Sequence, residues 1–435
     1  MTRLLETLLV ALAFPITMLG VQRVAHNGKI GVNPLAAFTA AWWLIGCLYL
    51  LDPLELAAVP LVAQVAVAGS VACFTLGYLI TCRLTGPSDD LEDRAGLHNT
   101  TLRPLAQLLC VTVVLGGVLF VVFVAEIGLS RLVSDPAGVL LSTRLALNGG
   151  TVPIGFYFFY FFELAVPSAA VLWYFRRRHR YLVIAILAGV ALITTTGRTN
   201  VFTAIVWSTL TLLILRGPTR VDRRHVLGGG AAAALSLVVF LTVGSALGKT
   251  FSNSALSHVY GGTSPALDAV LPLYYLTGLL PTFGAITADP SPGTGGGLTF
   301  RPVLQVLNLL DPSIIAPSKI EQFHLIPTPF NLATYLAPLW HDGGMTWVLA
   351  GSALTGAACG FAFSSWRRHR SPASLLLAGF FTLVALNTIK DSSLNEMSTL
   401  MQVLLLVVCV QAERSARARD ERDLSRTATA RQGAK

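Results

Sequence analysis

An all-α, polytopic integral membrane protein is the fold class the chain predicts, and three observations predict it. Hydrophobic residues make up 54% of the 435 residues and charged ones only 12%, whereas soluble domains carry about 25% charge; the mean hydropathy is +0.66. Apolar runs recur at close to the roughly 20 residues that a helix needs to cross a bilayer. The formal charge of +9 resides largely in short polar stretches between those runs. That is the signature of membrane topology and not of nucleic-acid binding.

Eleven segments qualify as spans: 4–21, 34–51, 58–81, 104–125, 152–175, 181–196, 200–215, 226–247, 344–365, 372–390 and 394–411. The first is read as a span and not a signal peptide, because no small-residue cleavage site follows its apolar core and Gln22-Arg23-Val24 is a poor substitute. With this count, 23 of the 31 Lys and Arg fall on one side, in the short loops and the tail. The others are Arg3, Arg131, Arg144, Arg198, Lys249, Arg301, Lys319 and Lys390. The positive-inside rule makes the second side extracytoplasmic.

Between the spans, 82–103 reads as a solvated cytoplasmic loop with Asp89, Asp90, Glu92, Asp93 and Arg94. Residues 126–151 read as a surface-lying helix on the outer side. Glu163 falls near mid-membrane, where a buried acid marks a functional site by default; an acid bonded to a neighbouring helix is the equal alternative. Gly228-Gly229-Gly230-Ala231 has no phosphate-loop lysine and suits close helix packing. The long loop 248–343 faces outward as an insertion in the transmembrane domain 1–411, with packed or re-entrant helices expected near 267–288 and 303–310. The tail 412–435 alternates Arg with Asp and Glu and is expected to be disordered. Six cysteines form no CxxC pair and read as small packing residues, with no metal site and no cofactor expected.

The chemistry-bearing residues cluster on the outer side. Arg198 sits in the Thr194-Thr195-Thr196-Gly197-Arg198-Thr199-Asn200 hairpin between two short spans, so an aqueous rim must receive its charge. Arginine offers a planar fork of donors suited to phosphate or diphosphate, and Arg144, Arg301 and Lys249 lie on the same side. Each of these outer arginines also has a plain alternative, pairing with an acid such as Glu126 or with lipid head groups. A second group is Pro329-Phe330-Asn331-Leu332-Ala333-Thr334-Tyr335, followed by Trp340-His341-Asp342-Gly343-Gly344. Asn331 and Tyr335 can hydrogen-bond a sugar, and His324, His341 or Asp342 can accept a hydroxyl proton. Capping of a helix start is the alternative for Asp342.

The Thr-Gly-Arg-Thr hairpin, the long loop, and the Asn331–Tyr335 segment with Asp342-Gly343-Gly344 together resemble the oligosaccharide repeat-unit polymerases, the Wzy or O-antigen polymerase type. The likeness in layout runs from about 104 to 411. An Arg-x10-Gly pattern found in outer loops of some members is matched by Arg144 and Gly155, whereas Trp-His-Asp stands before Gly343 where the family's Asp-Phe-Gly is expected. The resemblance implies a GT-C-like glycosyltransferase that takes undecaprenyl-diphosphate-linked oligosaccharide as donor, without metal, beside a flippase and a chain-length regulator. Arg198, His324, His341 and Asp342 would then be catalytic. Arg144, Arg301, Asn331, Tyr335 and Lys249 would bind substrate. Three alternatives stay open: an O-antigen-ligase-like transferase, a lipid-linked glycan flippase or transporter, and an assembly scaffold without catalysis.

Overall fold

A computed structural model describes residues 31–51, 54, 56–85, 102–135, 138–139, 154–194, 198–217, 270–288, 293–311, 313–315, 317, 324–326, 329–330, 334–390, 394 and 396–433, together with Thr17, Gly20 and Val21. The protein is mostly helical. Among the described residues six helices are long and apolar enough to cross a membrane, and the shorter apolar helices His179–Ile193, Asn200–Arg216 and Pro372–Asn387 fall on three further expected spans. The expected spans 4–21 and 226–247, and the Gly228–Gly230 run, lie outside the described residues. The chain divides into two compact units.

The first unit comprises 1–86, 216–361 and 381–400. Its spans are α1 (Pro34–Leu51) and α2 (Leu61–Leu84). Phe38 of α1 stacks on Phe74 of α2 with ring centroids 3.7 Å apart. Later in the chain α2 meets the long helix that begins at Leu336, and here glycine decides the distance. A Cβ on Gly77 would lie 2.1 Å from the Ala353 carbonyl oxygen, and one on Gly356 would lie 2.0 Å from that of Phe74. Gly360 faces the Tyr78 carbonyl in the same way. Gly356 and Gly360 form a small-xxx-small pair, which lets two membrane helices approach backbone to backbone.

The described residues of the long loop include α8 (Val270–Thr277), α9 (Leu279–Ala288), α10 (Arg301–Leu310) and a two-stranded ribbon, β1 (His324–Leu325) and β2 (Pro329–Phe330). The helices expected near 267–288 and 303–310 are therefore present. The ribbon is antiparallel, with His324 opposite Phe330 and Leu325 opposite Pro329. Phe330 packs on Tyr274 and Tyr275 of α8. Gly284 of α9 sits against Val59 and Pro60 at the start of α2, with 2.8 Å between a would-be Cβ and the proline ring.

The second unit comprises 87–215, 362–380 and 401–435. It holds α3 (Leu102–Ile127), α4 (Leu129–Ser134), a single 3-10 turn (Ile154–Tyr157), α5 (Phe158–Arg176), α6 (His179–Ile193) and α7 (Arg198–Arg216). The helix expected in 126–151 is represented by α4. Phe123, Phe156, Phe158 and Phe162 pack as a cluster, and Gly155 lets the 3-10 turn touch the Phe123 backbone at 2.3 Å from its would-be Cβ. Trp207 of α7 is fully buried and donates through Nε1 to the Leu376 carbonyl at 3.0 Å.

Three helices run through both units: α11 (Leu336–His369), α12 (Pro372–Asn387) and α13 (Met397–Gly433). Two expectations bear on these helices. Glu163 is buried in α5 and accepts a hydrogen bond from the Gln402 amide of α13 at 3.0 Å, the helix-to-helix bond that was one of its two readings. The expectation of disorder from 412 is corrected, because α13 continues as helix to Gly433. Glu413 is 1% exposed and accepts the Ala373 amide at the start of α12, while Arg417 donates to the His369 carbonyl at 2.6 Å. Glu413 and Arg417, two charges that suggest a solvated chain, satisfy helix ends instead.

Candidate functional site

The sequence around Gly343-Gly344 breaks α11 in two. Gly343 has φ 179° and ψ 34°, and Gly344 has φ 65° and ψ −145°, neither of them helical. The two arms, 336–342 and 345–369, fold back on each other as a hairpin. Tyr335 proves the reversal: its hydroxyl donates to Ser352 Oγ at 2.7 Å, although in a straight helix the two residues would be about 25 Å apart. Leu339 packs on Gly351, where a Cβ would stand 2.6 Å from its methyl, and a Cβ on Gly343 would strike the Trp347 ring. The chain thus enters the hairpin about 12 Å below its tip, at 1.5 Å per residue from Gly344 to Ser352.

Backbone groups buried there must find partners inside the protein. The Tyr335 amide donates to the Thr388 carbonyl at the end of α12 at 2.9 Å, and Trp42 Nε1 bonds the Thr388 hydroxyl at 3.0 Å. Ser70 of α2 lies 2.9 Å from the Tyr335 hydroxyl, so a chain of bonds runs Ser70, Tyr335, Ser352 and the Val348 carbonyl. Tyr335 is 3% exposed. Its hydroxyl is therefore committed to helix packing, which corrects the expectation that it meets a sugar.

At the tip, loop 293–300 closes over the end of arm 336–342. The Thr294 amide donates to the His341 carbonyl at 2.9 Å and the Gly295 amide to the Asp342 carbonyl at 3.1 Å, satisfying carbonyls that a helix end leaves open. The loop can turn there because Gly295 and Gly296 take φ of +60° and +95°. Asp342 binds the loop in turn through its side chain. Oδ1 accepts the Leu298 amide at 2.9 Å and the Thr294 hydroxyl; Oδ2 accepts the Thr299 amide at 2.7 Å and the Thr299 hydroxyl. A buried carboxylate with four donors is satisfied. Asp342 holds the glycine loop through its side chain, so the alternative that it caps the helix following it is corrected. These bonds give it a positioning role.

The loop then delivers Arg301 as the first residue of α10. Its guanidinium Nε is buried and has no hydrogen-bond partner, and no carboxylate among the described residues pairs with the side chain. Asp311, at the far end of α10, is occupied by the hydroxyl and amide of Ser313, which hold its carboxyl below the usual carboxylate range. The outer face of α10 is apolar: Val303, Val306, Leu307 and Leu310 are all exposed. His324 is half-buried on β1, whereas His341 is buried under the loop. Among the described residues no group of three His, Cys, Asp or Glu is placed to hold a metal ion.

Comparison with family models, with curated proteins and with solved structures finds no match. The chain's own geometry therefore carries the reading. The first unit brings Arg301, His341, Asp342 and Tyr335 onto or next to one hairpin and its capping loop. Arg198 begins α7 in the other unit, and its side chain, like Arg144, Lys249 and Asn331, lies outside the described residues. Thr294, Thr299, Ser70 and Ser352 were not foreseen. Only the Gly293–Gly297 run hints at the loop, and nothing in it names Asp342 as the partner.

Proposed function

We propose that the protein polymerises polyprenyl-diphosphate-linked oligosaccharide repeat units on the extracytoplasmic face of the bacterial plasma membrane. The observation that carries this reading is Arg301, a guanidinium without an acidic partner among the described residues, set at the start of an amphipathic helix. An amphipathic helix suits the plane of a membrane interface, the level at which a lipid-linked diphosphate presents its charge. In the transfer, an acceptor hydroxyl oxygen bonds to the anomeric carbon, the carbon–oxygen bond to the diphosphate breaks, and the hydroxyl proton goes to a base. Arg301 would stabilise the charge that develops on the departing diphosphate, with Arg198, Arg144 and Lys249 as further candidates and Asn331 as a sugar contact. Of the two histidines, the half-buried His324 is the better placed to take the proton.

A second reading, movement of the lipid-linked glycan across the membrane, draws support from the break in α11, because interrupted helices recur in transporters. Purified protein in detergent, given lipid-linked repeat units, separates the two. A polymerase yields a ladder of longer lipid-linked glycans and free carrier diphosphate with no membrane compartment present. Arg301→Ala and Arg301→Lys should both slow the ladder by roughly 100-fold, since the fork and not the charge alone is used. No ladder in detergent, with translocation in vesicles, would replace this reading with transport.

A further inference from the structure

The junction of α5 and α6 in the second unit holds four cations in five residues, Arg176, Arg177, Arg178 and Arg180, on the side that the basic residues mark as cytoplasmic. Two of them converge. Arg176 Nη1 lies 3.1 Å and Arg180 Nη2 3.0 Å from the hydroxyl of Tyr181, which is 5% exposed. The two nitrogens are thus at most about 6 Å apart, and none of the four arginines has an acidic partner among the described residues. Such like charges repel unless an anion joins them.

Two features of the backbone add to this. Arg177 closes α5 in the left-handed region, with φ 50°, where glycine is the usual residue. Its guanidinium stands over the Trp173 and Tyr174 rings, 5.6 and 5.1 Å from their centroids. The α6 N-terminus follows at once, with no side-chain cap and no acid in its first turn. A helix start carries partial positive charge and open N–H groups, so it favours an anion and disfavours His179 and Arg180 standing there alone. Below the site, α6 presents Val183, Ile186, Leu187 and Val190 as an exposed apolar stripe. That stripe begins one turn from the arginines and, with exposed Ile193 at the end of α6, runs about 15 Å, the hydrocarbon depth of one leaflet.

We propose that Arg176 and Arg180, gathered on Tyr181 with Arg177 at the rim, bind the phosphate of an anionic phospholipid of the cytoplasmic leaflet, whose acyl chains lie along α6. Aromatic rings at a span's end fit this level of the membrane. Inorganic phosphate shares the head-group chemistry but has nothing to lay on the stripe.

The test uses the full chain purified in detergent and given phosphatidylglycerol and phosphatidylcholine in equal amounts, with bound lipid counted by native mass spectrometry. Retention of phosphatidylglycerol should exceed that of phosphatidylcholine by about tenfold, and the double variant Arg176→Gln/Arg180→Gln should bring the ratio to near one. Tyr181→Phe keeps both charges and removes the atom that gathers them, so it should lower the ratio about threefold, and it serves where the double variant fails to fold. Equal retention of the two lipids, or a preference that survives the double variant, overturns the proposal. So does inorganic phosphate at millimolar concentration displacing the lipid completely. A preference that emerges only when Asp89, Asp90, Glu92 and Asp93 are neutralised would make that acidic loop the occupant, and would equally overturn it.

Discussion

Replacing Asp342 by Asn tests the glycine-loop clamp with almost no change of shape. The carboxylate receives two donors on each oxygen, and each oxygen has one rigid main-chain amide, Leu298 at 2.9 Å or Thr299 at 2.7 Å. In the Asp342→Asn variant one of the two oxygens is exchanged for an NH2 group, which then faces a main-chain amide that cannot rotate away. An orphaned buried donor costs about 1–3 kcal/mol, and loss of charge weakens the bonds that remain. Together these come to about 3 kcal/mol of local stability. Since 1.4 kcal/mol is about tenfold, the Leu298 and Thr299 amides should exchange with solvent deuterium roughly 150-fold faster in the variant. Hydrogen exchange on the folded protein in nanodiscs reads this directly, and local openings are what it detects. Unchanged exchange at both amides, with the fold intact, would refute the clamp.

Tyr335→Phe should lower stability by about 1 kcal/mol, the ordinary net value of a hydrogen bond, and leave yield per folded molecule in the proposed polymerisation unchanged; a selective loss of yield would return Tyr335 to the substrate. Gly77→Ala places a methyl 2.1 Å from the Ala353 carbonyl oxygen, between two backbones that have no side chain to move aside. Overpacking of that kind costs about 1–3 kcal/mol, and it should be seen as a lower midpoint in denaturant-driven unfolding in detergent. An unchanged midpoint would mean that α2 and α11 do not meet as closely as the glycines imply.

Spans were legible because length and hydropathy alone decide whether a helix can rest in a bilayer, and α1, α2, α3, and α5 together with the turn before it, begin and end within a few residues of where the apolar runs do. Helices within the loop were legible from apolar content. The hairpin at Gly343-Gly344 was not. Two glycines before an apolar run read equally as the mouth of a span, and the reversal depends on Tyr335 reaching Ser352 and Ser70, residues with no pattern that pairs them. Asp342 was visible as a polar residue at a helix end, yet its four donors come from 43–48 residues away. The tail misled because Glu413 and Arg417 look like solvated charges until the ends of α11 and α12 are beside them.

The clamp also changes what an inactive Asp342 variant would mean. Loss of activity in Asp342→Ala follows equally from a missing base and from a loop that no longer holds Arg301 in place, so that variant cannot separate them. Thr299→Val can. It removes a hydroxyl donor to Asp342 Oδ2 and leaves the carboxylate, the Thr299 amide and the rest of the loop. If Asp342 acts through the loop, Thr299→Val should lower activity and raise exchange at Leu298 and Thr299 together, each by a smaller factor than Asp342→Asn, about tenfold for a bond of roughly 1.5 kcal/mol to a charged group. If Asp342 is itself the base, releasing one donor leaves a carboxylate at least as basic as before, and the rate should hold or rise while exchange still increases. Opposite signs in the rate, measured on the same preparation whose exchange is known, decide between the two roles.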